Sequence, residues 1–77
     1  MTRSDHLDRN DRPANLILIE QSGTKREIPQ PSATEGMIEA EQAMQNHGSQ
    51  LREVKVVSRH QAIARWKAAG LGWRRVV

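Results

Sequence analysis

The hydrophobic pattern of this chain begins with one unbroken aliphatic run. Asn15 to Glu20 (NLILIE) sets four branched aliphatics in a row between Pro13 and the pair Ser22-Gly23. A run this short, apolar on both faces, predicts a buried central strand rather than a helix. Ser22-Gly23 offers a two-residue hairpin turn in which Gly23 takes a positive φ. The register that follows sets Glu20 opposite Lys25 and Ile17 opposite Ile28. The returning strand, Thr24 to Ile28 (TKREI), is polar and stops before Pro29 and Pro31. It reads as an edge strand blunted by charge.

The period then changes. Ser32 and Glu35 stand at the spacing of a capping box, which satisfies two backbone donors at a helix start. Behind them Ala33, Met37, Ala40 and Met44 recur on one helical face, with Glu35, Glu39, Glu41, Gln42 and Gln45 around the other. Ile38 points into that polar side. His47-Gly48 ends the helix, with Gly48 expected in the left-handed conformation. Leu51 to Val57 (LREVKVV) predicts a strand with Val54 and Val56 inward and Glu53 and Lys55 outward. Ser58 caps an expected second helix, Arg59 to Ala69 (RHQAIARWKAA), carrying Ala62, Ile63, Trp66 and Ala69 on one stripe and ending at Gly70. Leu71 to Val77 (LGWRRVV) reads as a closing strand.

The order is therefore ββαβαβ, with each helix long enough to serve as a crossover. The expected fold class is α+β: a small single domain with one four-stranded mixed sheet and two helices packed on it. Residues 14–77 form that domain, and residues 1–13 a flexible N-terminal arm. In Met1 to Arg12 the only apolar residue after the initiator is Leu7. Ordering such a stretch costs about 1–2 kcal/mol per residue and buries almost nothing.

Composition narrows the options. The chain has 77 residues, no cysteine and two aromatic residues, Trp66 and Trp73. The expected core is accordingly aliphatic: Leu16, Ile17, Leu18, Ile19, Ile28, Met37, Ala40, Met44, Val54, Val56, Val57, Ile63, Leu71 and Val76, with Trp66 in the stripe beside it. Disulfides and thiolate metal sites are excluded. No apolar stretch follows the first charges as in a signal peptide, and none reaches membrane-spanning length. The expected location is cytoplasmic. A core this small is marginal, which favours assembly with a second copy or another macromolecule. Ile38 is the candidate for such self-association as a homodimer.

Charge changes the picture most. Residues 1–50 hold five Lys/Arg against eight Asp/Glu, a net of −3, whereas residues 51–77 hold seven against the lone Glu53, a net of +6. The overall +3 hides a basic C-terminal third that also contains both tryptophans. Such asymmetry points to an acidic partner.

Catalysis lacks its ingredients. His6, His47 and His60 are scattered, and Ser22, Ser32, Ser49 and Ser58 fall at turn, loop or cap positions. No metalloprotease, nucleophile-elbow or phosphate-loop pattern is present. Glu35 and Glu39 share a helix side while Glu41 points elsewhere, the pattern of a solvated acidic face rather than a cation site. No enzyme activity, cofactor or metal is therefore expected. The candidate partner-binding residues are Arg59, Arg65, Lys67, Trp73, Arg74 and Arg75, since the expected second helix and the final strand adjoin. Arg52 and Lys55 come second, because strand alternation separates them. The expected function is that of a small non-enzymatic protein-binding factor, an adaptor or a phage- or plasmid-type inhibitor, docking this basic face on an acidic protein. The alternative is a nucleic-acid-binding module that contacts phosphates, although without Phe or Tyr it has no aromatic platform for reading bases. No membrane partner is expected.

Overall fold

The structure, a computed structural model, describes residues 12–76. Its strands are β1 (Ala14–Glu20), β2 (Lys25–Gln30), β3 (Leu51–Ser58), β4 (Gln61–Ala69) and β5 (Gly72–Arg75). One helix, α1 (Ala33–His47), lies between β2 and β3 and runs into a 3-10 turn over Gly48–Gln50. The strands form a single sheet in the order β2-β1-β3-β4-β5, with every neighbouring pair antiparallel. The class is α+β, but a sheet of five antiparallel strands under one helix replaces the expected four-stranded mixed sheet under two. Of the expected arm, residues 1–11 lie outside the described residues. Arg12 and Pro13 are exposed, and the Pro13 carbonyl accepts a hydrogen bond of 3.0 Å from Ser58 Oγ.

The first half follows the hydrophobic pattern. β1 is the second strand from one edge, and Leu16 and Leu18 on it are buried. β2 is the edge strand and accommodates Pro29, as edge strands do. The hairpin is one residue longer than expected. Gly23 N donates to Glu20 O and Glu20 N to Thr24 O, so a turn over Glu20–Gly23 closes the loop with Gly23 at φ +97°. Register consequently shifts, setting Ile19 opposite Lys25 and Leu16 opposite Ile28. Glu20 instead approaches Arg26, at 3.8 Å.

Ser32 caps α1 as read, its Oγ accepting from Glu35 N at 3.1 Å. The helix buries Gly36, Ala40 and Ala43 against the sheet, with Ala33, Met37 and Met44 packed around them. Ile38 faces outward and is 44% exposed. Gly48 is right-handed at φ −58°, not left-handed. Its missing side chain serves space instead, since a Cβ there would stand 3.3 Å from the Trp73 indole nitrogen.

The second half departs from expectation at one place. Arg59 to Ala69 is not a helix. Gln61–Ala69 is strand β4, hairpinned onto β3 with Val54 opposite Trp66 and Val56 opposite Ala64. The segment also carries period-2 alternation, in Ala64, Trp66 and Ala68, while a bulge beside Ala62, which pairs with Val57, turns that residue to the other face. Pairing as a strand satisfies the free edge of β3 and leaves Trp66 only 8% exposed. Ser58 is thus the last residue of β3, not a cap. The closing strand is confined to Gly72–Arg75. Of the expected core, Ile28, Ile63, Leu71 and Val76 are exposed.

The turn between β3 and β4 is Arg59-His60, with φ of 54° and 65°. Two residues of positive φ match the twist of a hairpin, but Asn-Gly is the pair that adopts them without strain. Replacing Arg59-His60 with Asn-Gly should stabilise the fold by about 1–2 kcal/mol and raise the thermal midpoint by several degrees in calorimetry. At the helix, a Cβ on Gly36 would stand 3.0 Å from Val56 Cγ1. Gly36→Val should therefore cost about 1–3 kcal/mol in denaturant titration, the usual penalty for overpacking.

Candidate functional site

A strand alternates its side chains between the two faces of a sheet, so register decides which charges meet. The face under α1 takes Leu16 and Leu18 of β1, Val54 and Val56 of β3, and Ala64 and Trp66 of β4. The opposite face takes the residues between them. One row across it reads Lys25, Ile19, Glu53, Lys67, Arg74. The next reads Glu27, Ile17, Lys55, Arg65. A third reads Pro29, Asn15, Val57, Ala62. The face opposite α1 therefore holds five cations against two carboxylates.

The cations gather toward one side. Lys55, Arg65, Lys67 and Arg74 occupy adjacent positions on β3, β4 and β5, about 5 Å apart across strands and about 7 Å apart along them. Lys67 and Arg74 are exposed, and Lys55 and Arg65 half-buried. Glu53 sits in their midst. Its carboxylate oxygen accepts from Arg65 Nε, and its side chain retains 13% of its accessible surface. This partly buried ion pair neutralises one of the four cations and lowers the mutual repulsion of the others. The β1–β3 side of the same face is aliphatic. Ile19 and Val57 are half-buried there, while Ile17, in register between Glu27 and Lys55, is only 7% exposed. Long stems such as those of Lys55 and Arg65 cover such positions while their charges stay wet.

The residues singled out from sequence divide between surfaces. Arg65, Lys67 and Arg74 share the cationic face. Arg75 and Trp73 lie on the α1 side instead. Arg75 is opposite Trp66 in register, and its guanidinium carbon sits 5.5 Å from the Trp66 ring centroid, a cation–π contact over the edge of the core. Trp73 is half-buried, packed against the core beside Gly48. Arg59 is at the hairpin tip, exposed beside His60. Arg52 is the extra residue where the β1–β3 register shifts, so it belongs to no row. Lys55, a second choice in the sequence, joins the cationic face, and Glu53, which the charge count alone does not single out, braces it. The signal for both was parity: with 61–69 taken as a strand, Lys55, Arg65 and Lys67 fall on one side.

No aromatic side chain stands in the three rows of this face. Among the described residues no three His, Cys, Asp or Glu side chains gather as a metal site, and no helix is long and apolar enough to cross a membrane. The surface can offer ammonium and guanidinium donors to carboxylates or phosphates, next to aliphatic contact area.

Glu53→Gln tests the brace. The substitution leaves Arg65 without its carboxylate among like charges, and should lower stability by about 0.5–1 kcal/mol at low salt. The loss should shrink at high ionic strength, where the exposed cations are screened, as read by urea unfolding at two salt concentrations. Comparison with protein families, with curated proteins and with solved structures finds no match for this chain, so the reading of the site stands on its geometry.

Proposed function

We propose that this chain is a small protein-binding factor, with no catalytic step of its own, that docks an acidic partner protein across the sheet face opposite α1. The observation that carries this reading is the division of that face into two adjoining parts. Lys55, Lys67 and Arg74 stand on β3, β4 and β5, and Ile19 and Val57 stand beside them on β1 and β3. An acidic segment with one apolar side would use both parts, setting carboxylates against the cations and aliphatic side chains against the isoleucine and valine.

A nucleic-acid strand fits this surface less well. Its phosphates would meet Glu27 and Glu53 among the cations, and its bases would find no aromatic ring to stack on. The moderate net charge of +3 points the same way, since phosphate-driven binding gains with each cation brought to the backbone.

The test uses the full chain with its native-host extract and two defined probes, polyglutamate and a single-stranded oligonucleotide. An acidic protein should remain bound after nuclease treatment, and polyglutamate should compete with it better than the oligonucleotide. Replacing Lys55, Lys67 and Arg74 with Glu should abolish that binding; it also sets carboxylates around Glu53, so it should cost about 1–2 kcal/mol while leaving a cooperative unfolding transition. Binding that disappears with nuclease and falls steeply with salt would transfer the face to nucleic acid. Binding unchanged by the triple reversal would return these charges to a solubilising role.

A further inference from the structure

The two sides of this molecule carry opposite charge. α1 holds Glu35, Glu39 and Glu41 and no Lys or Arg, whereas the sheet face opposite it holds five cations against two carboxylates. All three helix glutamates are exposed. Among the described residues none of them forms an ion pair, and neither do Lys55, Lys67 and Arg74. In the middle of the acidic side stands Ile38, 44% exposed. It lies two residues from both Gly36 and Ala40, about 200° round the helix from each, and so points away from the sheet. Glu35 and Glu41 flank it, one turn before and one turn after.

The sheet face presents the same pattern with the sign reversed. Ile19 stands beside Lys25 of β2 on one side, with Lys55 and Lys67 beyond it on the other. Glu35 to Glu41 covers about 9 Å of helix axis. Lys55 to Arg74 covers about 10 Å across three strands, so the two charged sets match in extent.

We infer that the cationic sheet face takes the outer side of α1 from a second copy, with Ile38 against Ile19 and the helix carboxylates among the surrounding cations. Charge complementarity selects the occupant, since orientations that set one cationic face on another are opposed by like charge. The two faces lie on opposite sides of the molecule, so one pair of copies cannot make the contact twice. It repeats head to tail instead, as heterologous contacts do when no ring closes. This contact rests on the reading of the sheet face as a protein-docking surface. It adds that a second copy covers the face until another acidic protein displaces it.

Sedimentation of the full chain at low salt, from low micromolar to near-millimolar concentration, tests it. The average mass of the parent should climb continuously past that of a dimer, and short polyglutamate should reverse the climb. Glu39→Lys with Glu41→Lys should weaken association about tenfold or more, as should Lys67→Glu with Arg74→Glu. Glu35 stays in place because it suits the positive end of the helix. Mixed in equal amounts, the two double variants should associate again, because the intact sheet face of one meets the intact helix of the other. Each should keep a cooperative unfolding transition. Ile38→Ser, which reverses no charge and removes nothing buried, should also weaken stacking. A parent that stays monomeric overturns the inference. So does growth that stops at a dimer, a mixture that associates no better than either variant alone, or stacking unchanged in Ile38→Ser. A monomeric parent that still retains an acidic protein from the extract defeats the stacking alone. A stacking parent that retains none defeats the external partner alone.

Discussion

The fold depends on how closely α1 approaches the sheet. Val54 and Val56 are fully covered because the residues above them are Gly36, Ala40 and Ala43, small enough to bring the helix backbone down onto β3. At Gly36 the fit is so close that a single added carbon would press on Val56. A helix is about 10 Å across and strands repeat every 4.8 Å or so, which means one helix shields about two strands. α1 spends that cover on β1 and β3. The remaining strands must complete the layer by other means. On β4 and β5, Trp66 takes the guanidinium of Arg75 over its ring, and Trp73 slides under the helix end at Gly48. At the β2 edge nothing equivalent happens, and Ile28 stays 37% exposed.

This arrangement explains why the two halves of the chain were unequally legible. β1, the cap at Ser32, the apolar face of α1 and the inward valines of β3 each carry one period only, so local pattern and tertiary structure agree. Gln61 to Ala69 carries two. Alanines at 62, 64, 68 and 69 suit a helix by propensity, and the i, i+4 pair Ala62–Trp66 supplies a stripe. The turn that would have announced a hairpin is Arg59-His60, which has none of the usual turn chemistry. What decides the outcome is nonlocal: β3 has an edge to satisfy, and Trp66 has a place opposite Val54. The one-residue error in the first hairpin has a simpler origin. A glycine of positive φ fits a two-residue turn and a longer one equally well.

The basic surface was legible as composition and not as geometry. Seven cations in the last 27 residues could be counted, but their faces depend on the strand identity of β4 and on the register of β5. Once both are known, Arg74 joins Lys67 while Trp73 and Arg75 turn to the helix side. The aromatic anchor imagined beside the arginines is thus removed from them and used in packing. In its place the face has aliphatic area along β1 and β3, and a carboxylate, Glu53, that holds Arg65 in place. A brace of this kind trades some positive potential for order.

Sheet edges bear on the same question. An open five-stranded sheet has two edges through which copies could add strand to strand. β2 is exposed along nearly its whole length, but it carries Lys25, Arg26 and Glu27 and a proline at 29. Such features obstruct pairing with another strand. β5 has only four residues, with Arg74 projecting from it on the open face. Edge-to-edge addition is disfavoured at both ends, which sets the edges apart from the face opposite the helix and from the uncharged end of the β4–β5 hairpin. These two surfaces differ in chemistry as sharply as a domain of this size allows. One is cationic beside aliphatic residues, and the other has no charge and ends in a leucine that the fold itself does not use.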